Sequence, residues 1–157
     1  MITYVSTSTE LIAALSSTTI TAGDCILLSA GTYTGDFVST IAGTVGNPIT
    51  VKPLSFLTHV TLDGSLTISG AYVEFYDIDF TDSRTDRSYI TPGIYSAAVG
   101  IGIYGCWIKD MHSNGVTLYG SGAAEICENV IHNNGWWEVG DDSLGHGIYT
   151  HNHLGGD

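Results

Sequence analysis

Gly23-Asp24-Cys25-Ile26-Leu27-Leu28-Ser29-Ala30-Gly31-Thr32-Tyr33-Thr34-Gly35 is a short apolar run entered through Gly-Asp and left through Gly-Thr-Tyr-Thr-Gly. A second run follows, Gly43-Thr44-Val45-Gly46-Asn47-Pro48-Ile49-Thr50-Val51-Lys52-Pro53. From Asp24 onward the pattern is strands of three to five residues with Gly, Asn or Asp at the corners. Alternating apolar pairs recur at Val60/Leu62, Leu66/Ile68, Val73/Phe75, Ile101/Ile103 and Val116/Leu118. Strands this short do not suit an ordinary sandwich. A solenoid accommodates them, because each strand pairs with its equivalents in the turns above and below.

An internal repeat gives the circumference of one turn. Ile103-Tyr-Gly-Cys-Trp-Ile-Lys-Asp-Met-His-Ser-Asn-Gly115 aligns with Ile126-Cys-Glu-Asn-Val-Ile-His-Asn-Asn-Gly135. Ile103 to Ile126, Trp107 to Val130 and Ile108 to Ile131 all keep a spacing of 23. Phe75 to Phe80 is a looser, earlier copy, and Asn114-Gly-Val-Thr-Leu118 is answered by His146-Gly-Ile-Tyr-Thr150. The predicted core is Ile26, Leu28, Ile49, Val51, Val60, Leu62, Leu66, Ile68, Val73, Phe75, Ile78, Phe80, Ile101, Ile103, Ile108, Val116, Leu118, Ile126, Val130, Ile131 and Ile148.

The fold class is therefore all-β, a parallel solenoid of about five rungs in a single domain over 1–157. The rungs are expected over 23–157, with excursions near 81–92 and 136–146. The first element is predicted to be a capping helix within 7–17, started by the Thr7/Glu10 capping box and presenting Leu11, Ile12 and Leu15. Such a plug covers a first rung that would otherwise expose apolar side chains and unpaired strand edges. Only His153-Leu-Gly-Gly-Asp157 follows the last strand pattern, so the domain is expected to be incomplete at its C-terminus. A bare final rung around Ile148 would favour end-to-end self-association.

The Gly23–Gly35 and Gly43–Pro53 pairing resembles the opening rungs of right-handed parallel β-helix proteins of the pectate-lyase-like superfamily. It is nearest in character to the alginate lyase and chondroitinase B type of polysaccharide lyase. The resemblance implies a right-handed coil, of which this chain is an N-terminal portion, and a carbohydrate-active protein acting on or binding acidic polysaccharide. Those lyases carry a Lys/Arg pair and calcium ligands in middle rungs, beyond the stretch that this chain matches. The resemblance thus carries over the coil and no catalytic residue.

Composition narrows the partners. The formal net charge is −12, with Lys52, Arg84, Arg87 and Lys109 as the only Lys and Arg residues. Nucleic acid is not expected as a partner, because phosphate binding needs clustered cations. An acidic polysaccharide would be repelled unless a bound cation intervened. No run reaches the length of a membrane span, so no membrane partner is expected. No signal peptide is visible at Met1, although an extracellular, virion-surface or cell-surface location suits a polysaccharide ligand. The three cysteines, Cys25, Cys106 and Cys127, fit no metal spacing and are expected as small apolar packers.

Chemistry-bearing residues concentrate late in the chain. Trp136, Trp137, Glu138, Asp141, Asp142 and His146 lie in or beside one loop, and indoles next to carboxylates are what a sugar groove uses. A solvated acidic turn with one Trp packed on the coil is the competing interpretation. Asp141 and Asp142 are the candidate ligands for Ca²⁺, the one cofactor expected. The candidate catalytic residues are Lys109, His112 and His146, with an ion pair to Asp110 as the alternative for Lys109. Asn114, Asn129, Asn133, Asn134 and Asn152 are predicted to bond backbone at the corners rather than sugar. A non-catalytic β-helix, serving as a surface, phage-tail or filament component, is the alternative function.

Overall fold

Short strands with alternating apolar residues can bury one face only by stacking turn upon turn, and the computed structural model has that form. It describes residues 1–86, 91–120, 122–135 and 145–151. Strand β1 (Ile2–Val5) and helix α1 (Ser8–Leu15) come first. The first rung is β2 (Cys25–Leu28), β3 (Gly31–Thr34) and β4 (Phe37–Ser39). The second is β5 (Ile49–Pro53), β6 (Val60–Asp63) and β7 (Leu66–Ile68). The third is β8 (Val73–Tyr76), β9 (Asp79–Thr81) and β10 (Ile94–Ser96). The fourth is β11 (Gly102–Tyr104), β12 (Trp107–Lys109) and β13 (Val116–Tyr119), and the fifth is β14 (Glu125–Cys127), β15 (Val130–His132) and β16 (Ile148–His151).

Equivalent strands of successive rungs form three parallel sheets. Sheet A runs β1-β2-β5-β8-β11-β14, sheet B runs β3-β6-β9-β12-β15, and sheet C runs β4-β7-β10-β13-β16. The 23-residue spacing is the observed register: Ile103 pairs with Ile126, Trp107 with Val130 and Ile108 with Ile131. Val116, Thr117 and Leu118 likewise pair with Ile148, Tyr149 and Thr150. The sequence repeat and the rung are the same object.

Inward side chains stack in columns, such as Ile26, Val51, Phe75, Ile103 and Ile126 in sheet A. The first four of these are fully buried. Tyr33, Leu62, Phe80 and Ile108 fill sheet B's column, and Phe37, Leu66, Ile94 and Val116 fill sheet C's. Two predicted core residues are exposed. Val130 is 43 % exposed because its register with Trp107 turns it outward. Ile148 continues the inward column of Val116 but is 45 % exposed, its rung being the last among the described residues. Ile126 and Ile131 are half-buried for the same reason.

Helix α1 begins as its capping box dictates. The Thr7 hydroxyl accepts from the Glu10 backbone N–H at 3.2 Å, and the Glu10 carboxylate accepts from the Thr7 N–H at 3.1 Å. Its buried face is Leu11, Ala14 and Leu15, whereas Ile12, expected on that face, is exposed. A strand precedes the helix, contrary to expectation. β1 extends sheet A by pairing Ile2–Val5 with Cys25–Leu28, a contact more than twenty residues distant that leaves little local trace.

Corners are held by left-handed residues and by asparagine amides. Asp77, Gly105 and Glu128 occupy the turn between sheets A and B in successive rungs, all with φ between 53° and 63°. Asn129 Oδ1 accepts from the Cys106 backbone N–H and its Nδ2 donates to the Ile103 carbonyl, both at 2.8 Å. Asn134 does the same to Met111 N–H at 3.0 Å and the Ile108 carbonyl at 3.1 Å. Asn114 Oδ1 accepts from the backbone N–H groups of Gly145 and His146. These amides tie one rung to its neighbour, as their corner positions predict, whereas Asn133 donates to the Asp110 carboxylate and not to backbone, and Asn152 lies outside the described residues. Gly64 shows how tightly the turns stack: a Cβ there would lie 2.0 Å from the Gly35 carbonyl oxygen. Among the described residues no helix is long and apolar enough to cross a membrane.

Candidate functional site

A parallel coil has a filled interior, so ligand chemistry must sit on its outer faces or at its corners. The candidate residues Lys109, His112 and His146 fall in three different environments. Lys109 ends β12 and faces outward, in register with His132. Asp110 follows it in a left-handed conformation, with φ 56°, and accepts a hydrogen bond from Asn133 Nδ2. Lys109 makes no ion pair among the described residues.

His112 turns the other way. Its side chain is 1 % exposed and lies at the corner between sheets B and C. The Nε2 atom stands 2.8 Å from the Arg84 carbonyl oxygen, which can only accept, so Nε2 carries the proton there. Asp82, its carboxylate 3 % exposed, is 3.8 Å from the same nitrogen. Arg84 grips Asp82 through Nε at 2.8 Å and through Nη2, a two-pronged pairing that suits the planar guanidinium. Arg84 Nη1 then reaches Asp36 at 3.0 Å, and Asp36 accepts from the Ser65 hydroxyl at 2.7 Å. This network fastens the segment after β9 to the first, second and fourth rungs. A polymer would reach His112 only if that corner opened.

His146 lies before β16. Its ring stacks on Tyr149 with centroids 5.7 Å apart, and its backbone is held by Asn114. Trp136, Trp137, Glu138, Asp141 and Asp142, with the calcium site expected at the last two, lie outside the described residues. Among the described residues no three His, Cys, Asp or Glu side chains stand together as a metal-binding group.

The outer face of sheet B brings together residues that sequence reasoning did not connect. Its outward columns are Thr32, Thr61, Asp79, Trp107 and Val130 beside Thr34, Asp63, Thr81, Lys109 and His132. In the earlier rungs the carboxylates are already engaged: Asp79 by His59 at 3.1 Å, and Asp63 by the backbone and hydroxyl of Ser83. The fourth and fifth rungs present Trp107, 50 % exposed, with Lys109 and His132 beside it. The His132 ring meets the indole edge-on, centroids 6.5 Å apart at 79°. An indole face, an ammonium and an imidazole thus share two adjacent strands. The 23-residue repeat held the signal for this face, because Ile108 over Ile131 inward forces Trp107 and Lys109 outward.

Such a surface can stack on a pyranose ring and pair with its carboxylate. Each contact is weak, since an exposed ion pair contributes about 0.2–1 kcal/mol. Useful affinity requires several sugar units bound along the face.

The coil matches solved structures of polysaccharide lyases. An alginate lyase from Paenibacillus sp. strain FPU-7 aligns at a TM-score of 0.78 and 26 % identity, over 95 % of this chain and 49 % of that one. A mannuronic-acid-specific polysaccharide family 6 lyase from human gut microbiota aligns at a TM-score of 0.62 and 19 % identity, over 80 % of this chain and 33 % of that one. The chain spans about half of the first lyase and a third of the second. No protein-family model and no curated protein sequence matches it. The fold is the parallel β-helix found in these lyases.

Proposed function

We propose that this β-helix is part of a polyuronate-lyase-like protein, and that acidic polysaccharide lies along the outer face of sheet B. The observation that carries the proposal is the match to the alginate lyase along nearly the whole chain. The Trp107–Lys109–His132 surface supplies a place for the polymer. It is a cationic and aromatic spot in a chain of net charge −12, and it faces outward where a long polymer can approach. A polymer of this kind is met outside the cell or at its surface, which is where the protein would work.

A lyase removes the proton from the carbon bearing the uronate carboxylate. The electron pair forms a carbon–carbon double bond as the neighbouring glycosidic carbon–oxygen bond breaks, and the leaving oxygen takes a proton. Lys109 is suited to neutralise the carboxylate, and the exposed His132 imidazole beside it on the same face is suited to take the proton, whereas His146, before β16 of sheet C, does not share that face. Calcium bound by Asp141 and Asp142 would supply further neutralisation. The test is to incubate the full-length protein with alginate, pectate and chondroitin, with Ca²⁺ and with a chelator, and to follow the ultraviolet absorbance of unsaturated products. Release from any of them supports the lyase activity. Binding without release from all three would leave a non-catalytic, polysaccharide-binding coil, the reading favoured by the locked Arg84–Asp82–His112 network.

A further inference from the structure

The outer face of sheet A holds a groove of about 240 Å³, turned away from the polysaccharide face proposed above. Its walls are the rings of Tyr72 and Tyr104 and the loop 44–48, and Glu74 and Glu125 line it. Two missing side chains make the arrangement possible. A Cβ on Gly102 would lie 2.3 Å from Tyr104 Cε2 and 2.9 Å from Glu74 Cγ, so the Tyr104 ring crosses the space above Gly102. A Cβ on Gly100 would lie 2.3 Å from Tyr72 Cδ1.

Crossing Gly102 brings the Tyr104 hydroxyl to Glu125, where it donates at 2.8 Å. Tyr76 stacks beneath Tyr104, centroids 4.8 Å apart at 17°, and its own hydroxyl donates to Glu74 at 2.6 Å. Burial first, then the adjoining carboxylate, pushes Tyr76 up to about 12 and raises Tyr104 as well, so both phenols keep their protons. Each phenol therefore donates its single O–H hydrogen bond to a carboxylate and keeps the proton. What these two phenols leave is acceptor oxygen and aromatic face, and the hydroxyls of Tyr72 and Thr44 are the side-chain donors that line the groove. Neither Glu makes an ion pair among the described residues.

With Glu74 and Glu125 both in its lining, a site of this composition repels a uronate. It complements a ligand rich in donors, with C–H surface for the rings and a positive charge for two uncompensated carboxylates. The volume accommodates about one pyranose ring. We propose that this groove binds a sugar residue that carries an ammonium group and no carboxylate, a protonated amino sugar. The inference stands apart from the sheet B proposal and uses none of its residues.

The experiment is calorimetric titration with a glucosamine tetramer, its N-acetylated counterpart, tetragalacturonate and 1,4-diaminobutane. The wild type should bind the glucosamine tetramer. It should bind the other three at least about tenfold more weakly, since each lacks either the charge or the ring. The double variant Glu74→Gln/Glu125→Gln, with its circular dichroism unchanged, should lose about tenfold or more. Tyr104→Phe serves as a second variant that keeps the ring and frees the carboxylate. No binding of the glucosamine tetramer, equal binding of the N-acetylated form or the diamine, or unchanged affinity in the double Gln variant would overturn the inference.

Discussion

Replacing Asn129 tests whether corner amides, and not only the apolar columns, set the spacing of the rungs. Asn129→Ala removes the bond from the Cys106 N–H to Oδ1 and the bond from Nδ2 to the Ile103 carbonyl, both 2.8 Å long. Losing the carbonyl's partner costs about 0.5–1.5 kcal/mol net, and leaving a buried amide unpaired costs about 1–3 kcal/mol. Cys106 is fully buried, so its amide takes the larger penalty. The sum is about 1.5–4.5 kcal/mol, toward its upper end for a fully buried amide. Asn129→Asp separates hydrogen bonding from shape, because it is almost isosteric. It keeps the acceptor for Cys106 but sets a carboxylate oxygen against the Ile103 carbonyl. At neutral pH it should therefore be destabilised at least as much as Asn129→Ala. Urea unfolding followed by circular dichroism gives both values, with unchanged m as the check that only stability has moved. Asn129→Asp unfolding within about 0.5 kcal/mol of the wild type would refute the reasoning, since shape alone would then suffice.

Phe75→Ala, in the middle of a fully buried column, should lose about 3–5 kcal/mol in the same unfolding assay. Thiol labelling at neutral pH should modify the exposed Cys127 promptly and leave Cys106 silent until the chain unfolds, because burial pushes the Cys106 thiol up to about 12. The Glu10 carboxyl is held below its ordinary 4.5 by the Ser6 backbone N–H first, then by the Ser6 hydroxyl and Thr7. Its contribution is complete above the unfolded value and is lost as pH falls through the lower folded one, so the unfolding-midpoint gap between wild type and Glu10→Ala should close in acid.

Legibility in the sequence followed distance along the chain. The rung circumference, the capping box and most of the core were readable, because each rests on local alternation or on the 23-residue repeat. β1 was not, since its partner lies in β2 and its own pattern is short and mostly exposed. Val130 reads as inward from its apolarity alone, whereas its register with Trp107 decides its direction. The Tyr76–Tyr104 stack and the Arg84–Asp36 pairing join residues 28 and 48 positions apart, across rungs whose lengths differ with their excursions. No window of sequence holds both partners. The same is true of the sheet B surface, where Trp107 and Lys109 gain meaning only beside His132 of the next rung.

Native electrophoresis in gels with and without alginate tests the proposed polysaccharide face most directly. The wild-type protein should be retarded by the polymer, and Trp107→Ala/Lys109→Ala should run at the same relative mobility in both gels. Retardation of the double variant equal to that of the wild type would place the polymer elsewhere, and no retardation of the wild type would contradict the account.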